Sequence, residues 1–196
     1  AAWMPTYLRR AYGLDLGEAG TGFGAVTVVA GLVGTLLGGW LGDRAQARGA
    51  GGYFRVSGVG LLLGAPFTVA MVMMPSASGA LAVAFVAELL LFLNTGPLNA
   101  ALVGCVPPAL RSSSMAINVF LIHALGDALS PWLIGVCSGA LGPALVGTLA
   151  ATPEAAELRL ALALLCLPLA LGGVWLLRGA SEIDRAPDGL LAVDRG

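Results

Sequence analysis

The sequence predicts an all-α membrane protein, and three observations carry that prediction. Hydrophobic residues make up 58% of the 196-residue chain and charged residues only 11%, where an ordinary soluble domain has roughly 25% charged residues. The mean hydropathy is +0.89. Five stretches are long and apolar enough to cross about 30 Å of hydrocarbon, which takes roughly 20 helical residues, and a shorter sixth opens the chain. A net charge of -1 leaves no basic surplus to neutralise a phosphate backbone, so nucleic acid is excluded as a partner.

The opening remnant covers residues 1–8 and is closed by Arg9 and Arg10. Full spans follow over 19–41, 54–74, 79–103, 113–139 and 158–177. Residues 1–178 thus form one helix bundle, while 179–196, rich in Asp, Glu and Pro, are expected to be a disordered cytoplasmic tail. The chain begins Ala1-Ala2-Trp3 with no signal peptide and reads as an excerpt of a longer protein. The links between spans are short. In the link 107–112, the pair Pro107-Pro108 cannot continue a helix, and Ser112 is suited to cap the next one.

Arginines counted by alternate loop give seven on one side (Arg44, Arg48, Arg55, Arg111, Arg178, Arg185, Arg195) and three on the other (Arg9, Arg10, Arg159). The positive-inside rule then places the 42–52 loop and the C-terminus in the cytoplasm. Glycines recur at four-residue spacing in Gly34/Gly38/Gly42, Gly60/Gly64 and Gly135/Gly139. Such spacing lets helix backbones approach closely, either as ordinary packing or as a seam along which helices rock. The cysteines Cys105, Cys137 and Cys166 lie far apart in apolar surroundings and form no metal-binding pattern. No cofactor motif and no nucleophile-base arrangement is present, so the chain is not expected to be an enzyme.

Two motifs stand out. Gly39-Trp40-Leu41-Gly42-Asp43-Arg44 sits at the cytoplasmic end of a long apolar helix. Its acidic and basic residues are either a solvated helix terminus or part of a gate. The second is longer: Glu88, Phe92, Asn94, Pro97 and Asn99, the link Val106 to Ser113 containing Arg111, and the run His123-Ala124-Leu125-Gly126-Asp127-Ala128-Leu129-Ser130-Pro131-Trp132-Leu133-Ile134-Gly135.

The first motif resembles the cytoplasmic gate of the major facilitator superfamily, although Gln46 stands where glycine is usual and only Arg48 remains of the basic tail. The second resembles the spinster-type lipid transporters of that superfamily, tightly from Glu88 to Gly135 and loosely elsewhere. Trp3-Met4-Pro5-Thr6 is similar to the outer end of that family's seventh helix. The resemblance implies a major facilitator-type bundle, its C-terminal six-helix half, with five full spans and a partial first one. It also implies that the N-terminal six-helix half, a partner across the transport cavity, lies outside this sequence, together with the family's proton-coupling carboxylates.

Ionisable residues within spans are rare and functional by default. With a rise of about 1.5 Å per residue, Glu88 lies about 14 Å from the outer end of its span, while His123 and Asp127 lie about 15 and 21 Å from the inner end of theirs. Glu88 is either a cavity group or a carboxylate bonded to a neighbouring helix. Phe92, Thr95 and Asn99 share its face by four-residue spacing and suit an amphiphile. His123 and Asp127 share one α-helical face and form either a proton-carrying pair or a buried pair that orients helices. Pro131 follows as a candidate hinge.

The resulting expectation is a secondary transporter half working by alternating access in the bacterial inner (cell) membrane. Glu88, Phe92, Asn94, Asn99, His123 and Asp127 are expected along the path of substrate or protons. Gly39, Gly42, Asp43, Arg44 and Arg111 are expected at the cytoplasmic closure. The resemblance implies a small amphiphile such as a lysophospholipid as cargo. The alternatives are a facilitator of a drug, sugar or organic anion, and a membrane scaffold that transports nothing.

Overall fold

The computed structural model describes residues 3–128, 132, 135, 136 and 153–185. Helices dominate and no strand occurs among the described residues. They are α1 (Met4–Tyr12), α2 (Leu16–Gln46), α3 (Gly52–Val72), α4 (Ala77–Phe92), α5 (Thr95–Gly104), α6 (Arg111–Leu121), a π-helical segment (Ile122–Ala128), α7 (Pro153–Leu164) and α8 (Cys166–Arg185). Among the described residues, four stretches, Leu16–Gln46, Gly52–Val72, Ala77–Gly104 and Leu158–Arg185, are long and apolar enough to cross a membrane.

Local chemistry sets the ends. Gly13, at φ 71°, closes α1 by donating its N–H to the Arg9 carbonyl at 2.9 Å, a left-handed cap that favours glycine. Asp15 opens α2 by accepting the Gly17 N–H at 2.9 Å, and Ser76 opens α4 by accepting that of Gly79 at 3.2 Å. Ser112 does not cap α6. A 3-10 turn over Pro108–Leu110 feeds directly into that helix from Arg111, so Ser112 is already inside it and Leu110 is the N-cap.

The stretch 79–103, expected as one helix, breaks between Phe92 and Thr95. Pro97 is the cause, because it has no N–H to offer the carbonyl of Leu93 four residues back. The Asn94 amide spends its Nδ2 hydrogen on the Leu91 carbonyl at 2.6 Å, in that same turn.

Glycine mediates much of the helix packing. A Cβ on Gly34 would meet the Leu89 carbonyl at 2.6 Å, one on Gly38 would collide with the Leu93 carbonyl, and one on Gly42 would meet Pro97 Cγ at 2.8 Å. The Gly34/Gly38/Gly42 stripe of α2 is therefore seated against the broken α4–α5 element. On α3, Gly60 faces the Leu90 carbonyl and Gly58 faces Gly173 of α8. Large apolar side chains instead point outward: Val28, Leu32, Leu36 and Trp40 form an exposed stripe down α2. That inversion suits lipid as solvent, where close backbone approach rather than apolar burial holds helices together.

The buried core gathers at one end of the bundle, where Tyr7 and Leu8 of α1 meet Phe23 of α2, Val72 of α3 and Leu158 of α7. The opposite end carries the Gly39–Arg44 motif. The chain from 179, expected to be disordered, stays helical through Arg185, where Asp184 is held by partners on α3. Residues 186–196 lie outside the described residues, as do most of the second half of the expected 113–139 span.

Candidate functional site

Two polar clusters define the candidate site, one within the spans and one at the end of the bundle that carries the Gly39–Arg44 motif. In the first, Glu88 of α4 faces α2, where Thr27 Oγ1 donates to Glu88 Oε1 at 3.1 Å. One turn along, the Phe92 ring lies 3.5 Å from where a Gly31 Cβ would sit, an ordinary contact distance that seats the ring against α2. Glu88 Oε2 is buried and has no hydrogen-bond partner among the described residues. Glu88 thus engages one carboxylate oxygen on the neighbouring helix and leaves the other unspent. Thr95 and Asn99 lie half-buried beyond the break at Leu93 and Asn94, so the four-residue stripe through Glu88 is not one continuous helical face.

In the second cluster Asp43 and Arg44 engage different neighbours. Asp43 and Arg44 lie inside the last turn of α2 rather than in a loop beyond it. Asp43 Oδ1 accepts from the Tyr53 hydroxyl of α3 at 3.1 Å. Arg44 stacks on the Trp40 ring at 4.1 Å, a cation-π contact one helical turn back. Gln46 is buried, and its Oε1 accepts the Tyr53 N–H at 3.2 Å, which fastens the first turn of α3 to the end of α2. The side chain that departs from the family pattern is therefore the one that closes this turn. Gly52 admits the close approach, since a Cβ there would strike the backbone of Ala45 and Gln46. Gly39 and Gly42 belong to the same end, where a Cβ on Gly96 would meet the Gly39 backbone at 3.1 Å and one on Gly42 would meet Tyr53 and Pro97. Arg111 opens α6, is exposed, and forms no ion pair with Asp43.

His123 is exposed and lies in the π-helical segment. That segment is hydrogen-bonded from i to i+5 rather than i to i+4, a winding in which backbone positions four residues apart, such as 123 and 127, still fall on one side of the helix. The side chain of Asp127 and all of Pro131 lie outside the described residues.

Two groups of residues escaped the sequence reading. Tyr53, Gln46, Arg55 and Asp184 build the cluster at the Gly39–Arg44 end, and of these the sequence reading singles out only Gln46, as a departure from the family pattern. At the other end, the Tyr7 hydroxyl donates to the Val72 carbonyl at 3.0 Å and accepts from Arg159 Nε at 3.2 Å, while the Tyr12 hydroxyl donates to the Met74 carbonyl at 2.7 Å. This knot ties α1, α3 and α7 together. Burial pushes the Tyr12 phenol well above its ordinary range. Tyrosines near the end of an apolar stretch were the available signal.

Known proteins locate this architecture. The chain is 42% identical over 114 residues to a probable sphingolipid transporter, spinster homolog 2, of Arabidopsis thaliana, a match covering 58% of this chain and 23% of that protein. It is 34% identical over 155 residues to protein spinster homolog 3 of Danio rerio, covering 72% of this chain and 31% of that protein. The chain belongs to the spinster-like family. It spans less than a third of the length of these relatives. A crystal structure of a bacterial homolog of the human lysosomal transporter spinster, in an inward-facing and occupied conformation, matches 92% of this chain and 44% of its own with a TM-score of 0.76. At 20% identity that likeness shows the fold, an all-α arrangement of membrane-length helices. No family model matches. The spinster-like chain is thus an integral, multi-pass membrane protein.

Proposed function

We propose that this chain is the C-terminal half of a secondary transporter that moves a small amphiphilic lipid by alternating access. The observation that carries the reading is the Glu88 carboxylate, set within an apolar helix, held by Thr27 through one oxygen and unpartnered at the other. Carboxylates at such depth are costly and mark substrate or proton pathways. The second oxygen of Glu88 is the group that meets substrate or a proton, with Phe92, Asn94 and Asn99 completing the wall on the broken helix. His123, Asp127 and the hinge at Pro131 are assigned to the same path.

Gly39, Gly42, Asp43 and Arg44 form the cytoplasmic closure, with Arg111 joining it in another state of the cycle. The missing N-terminal half supplies the opposite wall. The chain sits in a bacterial cell membrane with its C-terminus in the cytoplasm, as its arginine distribution supports. A lipid cargo is supported by the sphingolipid named for the Arabidopsis relative. No catalysis is assigned.

The test is uptake by proteoliposomes containing the full-length transporter, offered a fluorescent lysophospholipid, a fluorescent sphingoid base, a sugar and a cationic dye, with and without a pH gradient. Movement of the lipids alone supports the reading. Movement of the sugar or dye alone would transfer the site to another facilitator class, and movement of nothing would favour a scaffold.

A further inference from the structure

The cytoplasmic end of the last helix reaches back to the gate. Asp184, near the end of α8, forms an ion pair with Arg55 of α3 through Oδ2 and accepts the Gly51 N–H through Oδ1 at 2.9 Å. One carboxylate therefore grips both ends of the first turn of α3, from its N-cap to Arg55. An acidic group there also complements the positive end of the helix dipole.

Packing places it. A Cβ on Gly51 would strike the backbone of Ala180, and one on Gly49 would lie 3.0 Å from Asp184 Oδ1. Ala180 is fully buried. The Asp184 side chain is 21% exposed, against 46% for that of Arg55, so the carboxylate is the better shielded partner.

Tyr53 lies within the gripped turn. Its N–H is held by Gln46 and its hydroxyl by Asp43. The turn is thus held from two sides, by α2 through Tyr53 and by α8 through Asp184. We propose that Asp184 is a positioning residue for the cytoplasmic gate: the end of the last helix clamps the first turn of α3, and this clamp presents Tyr53 to Asp43. The role of the gate rests on the proposed transporter function, whereas the clamp itself does not.

Three substitutions separate the parts. Asp184→Ala removes both contacts, Asp184→Asn removes the ion pair and keeps an oxygen for the Gly51 N–H, and Arg55→Ala keeps the carboxylate cap. The test uses the full-length transporter without native cysteines, spin-labelled at the exposed positions Ala47 and Glu182. Distance distributions and lipid uptake are measured on the same preparations.

The clamp predicts a broadened 47–182 distance in Asp184→Ala, with smaller broadening in the other two. It predicts a maximal uptake rate lowered about fivefold in Asp184→Ala, the effect of about 1 kcal/mol, with KM unchanged because no substrate contact is lost. An unchanged distance distribution in Asp184→Ala would overturn the clamp, even if uptake changed. Broadening with unaltered uptake in a transporting protein would overturn the positioning role. Absence of uptake in the wild type would count against the transporter reading, leaving the distance result to judge the clamp.

Discussion

Adding a single methyl group at Gly38 tests whether backbone contact holds α2 to the broken helix. Its Cβ would collide with the Leu93 carbonyl oxygen and lie 2.7 Å from the carbonyl carbon and 2.8 Å from Cα. These are backbone atoms in the turn that Pro97 creates, so no side-chain rotation relieves the clash. The helices must separate, and the neighbouring contacts at Gly34 and Gly42 open with them. Overpacking of this kind costs about 1–3 kcal/mol. Gly24, on the same helix, has nothing within 4 Å of its Cβ position. There alanine should be neutral or gain up to about 1 kcal/mol from helix propensity. Thermal unfolding of the purified full-length protein in one detergent, followed by tryptophan fluorescence, measures both. Gly38→Ala should lower Tm by several degrees while Gly24→Ala leaves it level or slightly raised. A Gly38→Ala protein as stable as the wild type would refute the reasoning.

Three further outcomes follow from the same contacts. Tyr7→Phe removes the hydroxyl that joins Arg159 to the Val72 carbonyl, and a buried group left unsatisfied costs about 1–3 kcal/mol; an unchanged Tm in the same unfolding assay would count against the knot. Tyr12 holds its proton more tightly when folded than its ordinary value of 10.0. The unfolded chain then ionises first, so stability is retained below about pH 10 and falls above it; Tyr12→Phe should flatten that fall in a Tm series across alkaline pH. Gln46→Ala withdraws the acceptor of the Tyr53 N–H and should lower the maximal uptake rate with KM unchanged, whereas a change in KM alone would move Gln46 from the gate to the substrate path.

The sequence reveals span existence better than span interior. Apolar length marks α2, α3 and α8 because lipid demands it. The break at Leu93 was signalled by Pro97, but the apolar run continues through it and hides the interruption. Glu88 and the Gly39–Arg44 motif were visible as charge where charge is costly. Their partners were not: Thr27 and Tyr53 lie on other helices, and nothing local pairs a threonine with a carboxylate 61 residues away. Asp184 was hidden for a different reason. A polar C-terminal stretch reads as disorder by composition, while its helix is fixed by the long-range contacts to Gly51 and Arg55. The π-helical winding at Ile122–Ala128 has no compositional signature at all.

The most direct test of the central proposal is lysophospholipid movement by proteoliposomes containing the full-length transporter, comparing wild type with Glu88→Gln and Thr27→Val at matched insertion and matched Tm, each with and without a pH gradient. The account predicts strong loss in Glu88→Gln, which keeps the shape and removes the charge, and partial loss in Thr27→Val, which frees the carboxylate from α2. Wild-type rates in a well-folded Glu88→Gln protein would contradict it and leave Glu88 as a helix-packing group.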